Sequence, residues 1–97
     1  MSQLDLIKST LYRLKPELSE KYFVSSIGLF DSIVRDDYSA AKSDIDIIVD
    51  FSRPIGIEFV DLADYLESRI KCKIDLVSKN GIKTKYYREI EREIVYV

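Results

Sequence analysis

The chain has 97 residues, a formal net charge of −2, 46% apolar and 33% charged residues, one Cys and neither His nor Trp. That length fits one domain over residues 1–97, large enough for a real core, and the composition excludes disordered and fibrous classes. With no His and only Cys72, zinc sites built on those ligands, internal disulfides and Ser-His or Cys-His nucleophile pairs are excluded, so chemistry must run on carboxylates, hydroxyls, Lys and Arg.

Leu4, Ile7, Leu11 and Leu14 recur at helical spacing, so residues 3–14 read as an amphipathic helix. Pro16 suits the first turn of a short second helix ending near Tyr22. Tyr22 to Phe30 is apolar and β-rich, the pattern of a buried strand. Ser32 to Asp37 reads as a short helix or turn, followed by a polar loop from Tyr38 to Ser43. Ile45 to Phe51 is apolar on both faces, as a covered central strand requires. After a turn at Arg53-Pro54-Ile55-Gly56, Phe59, Ala63, Leu66 and Ile70 are spaced for a helix over 57–70. Lys73 to Val77 reads as a third strand, Asn80-Gly81 as a turn, Thr84 to Glu93 as a charged helix, and Val95 to Val97 as a terminal strand. Strands with helices between and around them make an α/β (α+β) sandwich, a small sheet covered by helices. No segment approaches the ~18–20 apolar residues of a membrane span and no signal-peptide pattern opens the chain, so a cytoplasmic protein is expected.

Charge is unevenly spread. Six acids lie between Asp31 and Asp50, against Arg35 and Lys42, whereas eight bases lie between Arg69 and Glu93. An acidic centre beside a basic third suits a cation and a polyanion, or a merely solvated face; no long like-charge block indicates duplex nucleic-acid binding.

The sharpest pattern is Ser43-Asp44-Ile45-Asp46. Alternation along a strand puts Asp44 and Asp46 on one face, about 7 Å apart along the chain. Only Lys42 lies beside them in sequence, so a hard divalent cation, Mg²⁺ or Mn²⁺, is the natural counter-charge, unless both acids are simply solvated. Asp75 interrupts another apolar strand, Lys73-Ile74-Asp75-Leu76-Val77, and completes a three-carboxylate cluster if the two strands are neighbours; a salt bridge to Lys71 or Lys73 is the other reading. Upstream, Gly28-Leu29-Phe30-Asp31-Ser32 runs from a strand into a helical turn, where free N–H groups suit a phosphate. Ser32 would add a hydroxyl and Arg35 a guanidinium, or they are a helix cap and a surface arginine.

In this order the segments resemble the minimal nucleotidyltransferases of the DNA polymerase β superfamily, from Val24 to Val97. The family pattern is a Gly-Ser turn, an Arg-Gly-acid segment, about ten residues to D-x-D, and a later Asp. Here Leu29-Phe30-Asp31-Ser32-Ile33-Val34-Arg35-Asp36-Asp37 occupies the first part, Ser43-Asp44-Ile45-Asp46 the second and Ile74-Asp75-Leu76-Val77 the third, with Asp50-Phe51 and Pro54-Ile55-Gly56 between. Asp31 and Asp36 stand where the family has glycines. The resemblance implies a palm-like nucleotidyltransferase fold and two Mg²⁺ ions held by Asp44, Asp46 and Asp75. It also implies phosphates held at Ser32 and Arg35, with Asp31 and Ser43 among the nucleotide-binding positions. AMP from ATP would pass to a hydroxyl acceptor, on an all-helical HEPN-type partner for which the chain is the antitoxin. The alternative is a protein that keeps the fold but neutralises its partner by contact alone; an RNase H-like nuclease would leave the Ser32-to-DxD segment unexplained. In the last helix Tyr86 and Ile90 supply the apolar stripe, leaving Tyr87 and Arg88 either for contact with a partner or a second copy or as a solvated flank with a partly buried tyrosine.

Overall fold

The computed structural model describes residues 2–36, 38–39 and 42–97. Helix α1 (Gln3–Tyr22) opens on a Ser2 side chain that accepts the Asp5 N–H at 3.1 Å. It closes on Phe23 in the left-handed conformation, φ 60°. This is one helix, not the two expected from Pro16. A proline inside a helix removes one hydrogen bond and costs about 3 kcal/mol. Pro16 lies on the exposed side, as does Tyr12, whose carbonyl receives no N–H from the proline. Ile7, Leu11, Leu14 and Leu18 are buried on both sides of it, and that continuous stripe outweighs the break.

Strand β1 (Val24–Phe30) leads into a single 3-10 turn, Asp31–Ile33. Strand β2 (Ile45–Phe51), helix α2 (Glu58–Ile70), strand β3 (Ile74–Ser78), helix α3 (Thr84–Ile90) and strand β4 (Val95–Tyr96) follow. The sheet order is β3-β2-β1-β4. β1 is antiparallel to both β2 and β4, and β2 is parallel to β3, a pairing that needs the α2 crossover. The terminal strand is thus a fourth member of a mixed sheet, and the fold is the expected small sheet flanked by helices.

The two faces are unequally covered. α1 and α2 bury Ile27, Leu29, Ile45, Ile47 and Val49 under Leu11, Leu18, Leu62 and Leu66. The other face has a thinner cluster of Phe30, Ile48 and Ile90, with Val77, Ile82, Tyr87 and Ile94 packed around it. Tyr87 is therefore half-buried, the partly buried flank that was the alternative to a protein contact, and the Lys79 ammonium lies 5.6 Å from its ring centre. β4 approaches β1 closely at Gly28, where a Cβ would stand 2.7 Å from Ile94 Cγ2; only glycine fits there. α3 also ends at Ile90, three residues before the expected Glu93, because the chain turns there to carry Glu93 back to the β1 turn. Among the described residues no helix is long and apolar enough to cross a membrane.

Candidate active site

The register of the sheet builds the site. Phe30 of β1 pairs with Asp46 of β2, and Asp46 pairs with Asp75 of β3. Parallel pairing puts the side chains of partnered residues on one face, so Asp46 and Asp75 stand side by side on the thinly covered face. Asp44, two residues before Asp46, precedes β2 and is exposed, as is Asp75, while Asp46 is half-buried. Of the three carboxylates expected from the sequence, the register sets Asp46 beside Asp75, and Asp44 stands two residues before Asp46 at the start of β2. Among the described residues, none has a Lys or Arg ion-pair partner, so the alternative of an Asp75 bridge to Lys71 or Lys73 is not realised.

Uncompensated charge has a measurable consequence. Burial, then the charges of Asp31, Asp75 and Asp44, push the Asp46 carboxyl up to about 7, helped by a hydrogen bond to Asp75 that requires a proton. Among the described residues no group of three acids, Cys or His is already set at metal-binding spacing. The donor chemistry nonetheless fits a hard divalent cation: adjacent carboxylate oxygens lack a basic neighbour, and two of the three side chains are exposed enough to reorient.

Asp31 begins the adjoining turn with φ 65°, and Asp36 has φ 63°. Both aspartates that replace family glycines thus occupy the left-handed region that glycine favours and Asp tolerates. The Asp31 carboxylate is paired with the Arg35 guanidinium, yet it remains within electrostatic reach of Asp46. Ser32 sits inside the 3-10 turn rather than capping it. Asp37 and the loop residues Ala40 and Ala41 lie outside the described residues.

Glu93 was not expected at the site. Its Oε1 accepts the Asp31 N–H at 3.0 Å and its Oε2 lies 3.4 Å from Arg35 Nη1, so it holds the turn from the far end of the chain. Tyr86 is the second unexpected neighbour: burial and then Asp31, Asp46, Asp75 and Glu93 push its hydroxyl pKa up. Its helical spacing from Ile90 marks it for the apolar stripe, but nothing in that spacing points to the carboxylates; no local pattern signals Glu93. A cleft of about 410 Å³ is lined by Asp44 together with Tyr38, Lys42, Ser43, Lys71, Cys72 and Lys73. The expected nucleotide-binding Ser43 thus faces a basic cleft beside the carboxylates.

Comparison with known proteins agrees with this arrangement. A family model described as nucleotidyltransferase domain matches residues 11–97. The protein adenylyltransferase MntA of Thermococcus cleftensis is 40% identical over 98 residues, covering 100% of this chain and 98% of that protein. A solved structure provisionally described as a minimal nucleotidyltransferase superposes with a TM-score of 0.78 at 21% identity, over 98% of this chain and 95% of that one. The MNT antitoxin complex with tri-AMPylated HEPN toxin from Shewanella oneidensis gives 0.69 at 22% identity, over 97% of this chain and 71% of the matched chain. At such identities the two structures speak for the fold. The family match and the full-length relative go further, and on them the chain belongs to the nucleotidyltransferase domain family.

Proposed function

We propose that the chain is a Mg²⁺-dependent adenylyltransferase that moves AMP from ATP onto a hydroxyl of a helical partner protein, as the antitoxin half of a HEPN pair. The observation that carries the proposal is the Asp46–Asp75 row, with Asp44 beside it, left without a basic partner in a chain of this family. The relatives support the acceptor and the partner: one is a protein adenylyltransferase, and another is an MNT antitoxin in complex with an AMPylated HEPN toxin. A reaction that consumes ATP suits the cytoplasm.

Two divalent cations, Mg²⁺ or Mn²⁺, would supply activation of the acceptor oxygen and neutralisation of the leaving pyrophosphate. Asp44 and Asp46 would hold the ion on the triphosphate side. Asp75 would join them on the acceptor side, where its charge favours loss of the acceptor proton. Ser32 and the N–H groups of its turn would hold the β and γ phosphates, and Arg35, fixed by Asp31 and Glu93, would brace that turn. Lys42, Lys71 and Lys73 around the neighbouring cleft add a field that attracts a polyanion.

A second reading, neutralisation of the partner by contact alone, draws on the same turn. The Asp31 and Glu93 carboxylates crowd the place a triphosphate would approach, and Glu93 already takes the Asp31 N–H. Calorimetric titration with ATP in Mg²⁺ separates the two. The transferase reading expects binding that disappears in the Asp44→Asn, Asp46→Asn double variant; a folded protein that binds no ATP supports contact alone.

A further inference from the structure

The chain carries seven tyrosines, and their surroundings differ. Tyr65 donates its hydroxyl to Glu17 at 2.6 Å, Tyr87 packs against the cluster of Phe30, Ile48 and Ile90, and the Tyr38 hydroxyl neighbours Cys72 and Asp44. Tyr86 is placed differently, by two periodicities. Ile90 on α3 is buried against Phe30 and Ile48, and Tyr86 lies one helical turn before it on the same stripe. Phe30, Asp46 and Asp75 form one register row, and Ile48, two residues beyond Asp46, shares their face. With Ile90 seated on Phe30 and Ile48, the stripe that holds Tyr86 overlies the same sheet face as the carboxylate row. Asp31, Asp46, Asp75 and Glu93 all act on its hydroxyl, and the residue keeps 41% of its surface open to solvent.

We propose that Tyr86 is itself an adenylyl acceptor, taking AMP in cis when ATP occupies the carboxylate site. The proposal rests on the adenylyl-transfer reading above and names a substrate within the chain. In the step, the Tyr86 phenolic oxygen forms a bond to the α-phosphorus of ATP, and the bond from that phosphorus to the β-phosphate bridging oxygen breaks. Pyrophosphate leaves with that electron pair, and the phenolic proton passes to a carboxylate of the Asp46–Asp75 pair and on to water. A phenol tethered beside the reacting centre reacts at an effective concentration far above that of any free acceptor. Because Tyr86 stands at the site, its modification places an adenylyl group there and slows transfer to other acceptors.

The purified chain, incubated with ATP and Mg²⁺ and followed by intact mass and peptide mapping, tests this. The expected result is one adenylyl group on the peptide holding Tyr86, labelled from the α- but not the γ-phosphate of ATP. Its first-order rate constant should not depend on protein concentration, and Tyr86→Phe should abolish the adduct. An adduct on another residue, no adduct, or a rate constant that rises with protein concentration overturns the proposal. Calorimetry on the same preparation separates the failures. ATP binding without a Tyr86 adduct removes the self-acceptor alone, whereas absence of ATP binding removes the transferase reading with it.

Discussion

Replacing Asp46 by Asn should stabilise the metal-free protein at pH 8 and leave it nearly unchanged at pH 4. Asp46 is raised from 3.8 to about 7 in the fold, first by burial and then by Asp31, Asp75 and Asp44. Between those values the folded state keeps a proton that the unfolded chain has lost, so stability falls as pH rises through that window and the penalty is complete above 7. At full weight a shift of that size would be about 4 kcal/mol. Water reaches roughly half of the group, and screening reduces the figure to ~1–2 kcal/mol. For a domain of this size each kcal/mol moves Tm by about 4–8 °C, so the variant should melt some 4–16 °C higher at pH 8. Asn keeps the shape and the capacity to hydrogen-bond Asp75 while removing the charge. Thermal melts of both proteins in EDTA at pH 4 and pH 8 measure the effect, and Mg²⁺ added at pH 8 should raise Tm only in the wild type. A variant no more stable than wild type at pH 8 would refute the claim that burial and the neighbouring carboxylates penalise the Asp46 charge.

Three further outcomes follow from single positions. Asp31→Gly keeps the left-handed turn and removes a carboxylate from the phosphate approach, so ATP affinity by calorimetry should tighten about tenfold, or ~1.4 kcal/mol; equal affinity would mean that the Arg35 pair already neutralises that charge. Gly28→Ala drives a Cβ to 2.7 Å from Ile94 Cγ2, and denaturant unfolding should show a loss of about 1–3 kcal/mol. Pro16→Ala restores the missing helical N–H on the exposed side of α1 and should stabilise by about 1–2 kcal/mol, less than the full interior penalty because the freer unfolded chain offsets part of it.

How much could be read in advance depended on how local the cause was. Ile45–Phe51 was legible at its observed bounds because its apolar residues fall on both faces, as a covered central strand requires. Asp44, Asp46 and Asp75 were legible as candidates because carboxylates interrupt otherwise apolar strands, although only the parallel register brings Asp46 against Asp75. Pro16 misled because a local break signal competes with four buried residues that act through tertiary packing. Glu93 was hidden for a plainer reason: it meets Asp31 across 62 positions of chain, and no short pattern carries that information. Tyr86 shares the stripe of Ile90 as read but stays exposed, and Tyr87 is the one that packs on the thin cluster, since adjacent positions on a short helix differ by about 100° in direction and a small tilt decides which one packs.

The most direct test of the account is transfer itself. The chain is mixed with its helical partner protein, Mg²⁺ and ATP labelled at the α-phosphate, and label on the partner is followed over time. Covalent label on a partner hydroxyl, lost in the Asp44→Asn, Asp46→Asn double variant while the complex still forms, is the predicted result. A stable complex in which the partner stays unlabelled and ATP is not consumed would contradict the transferase and leave contact alone as the mode of neutralisation.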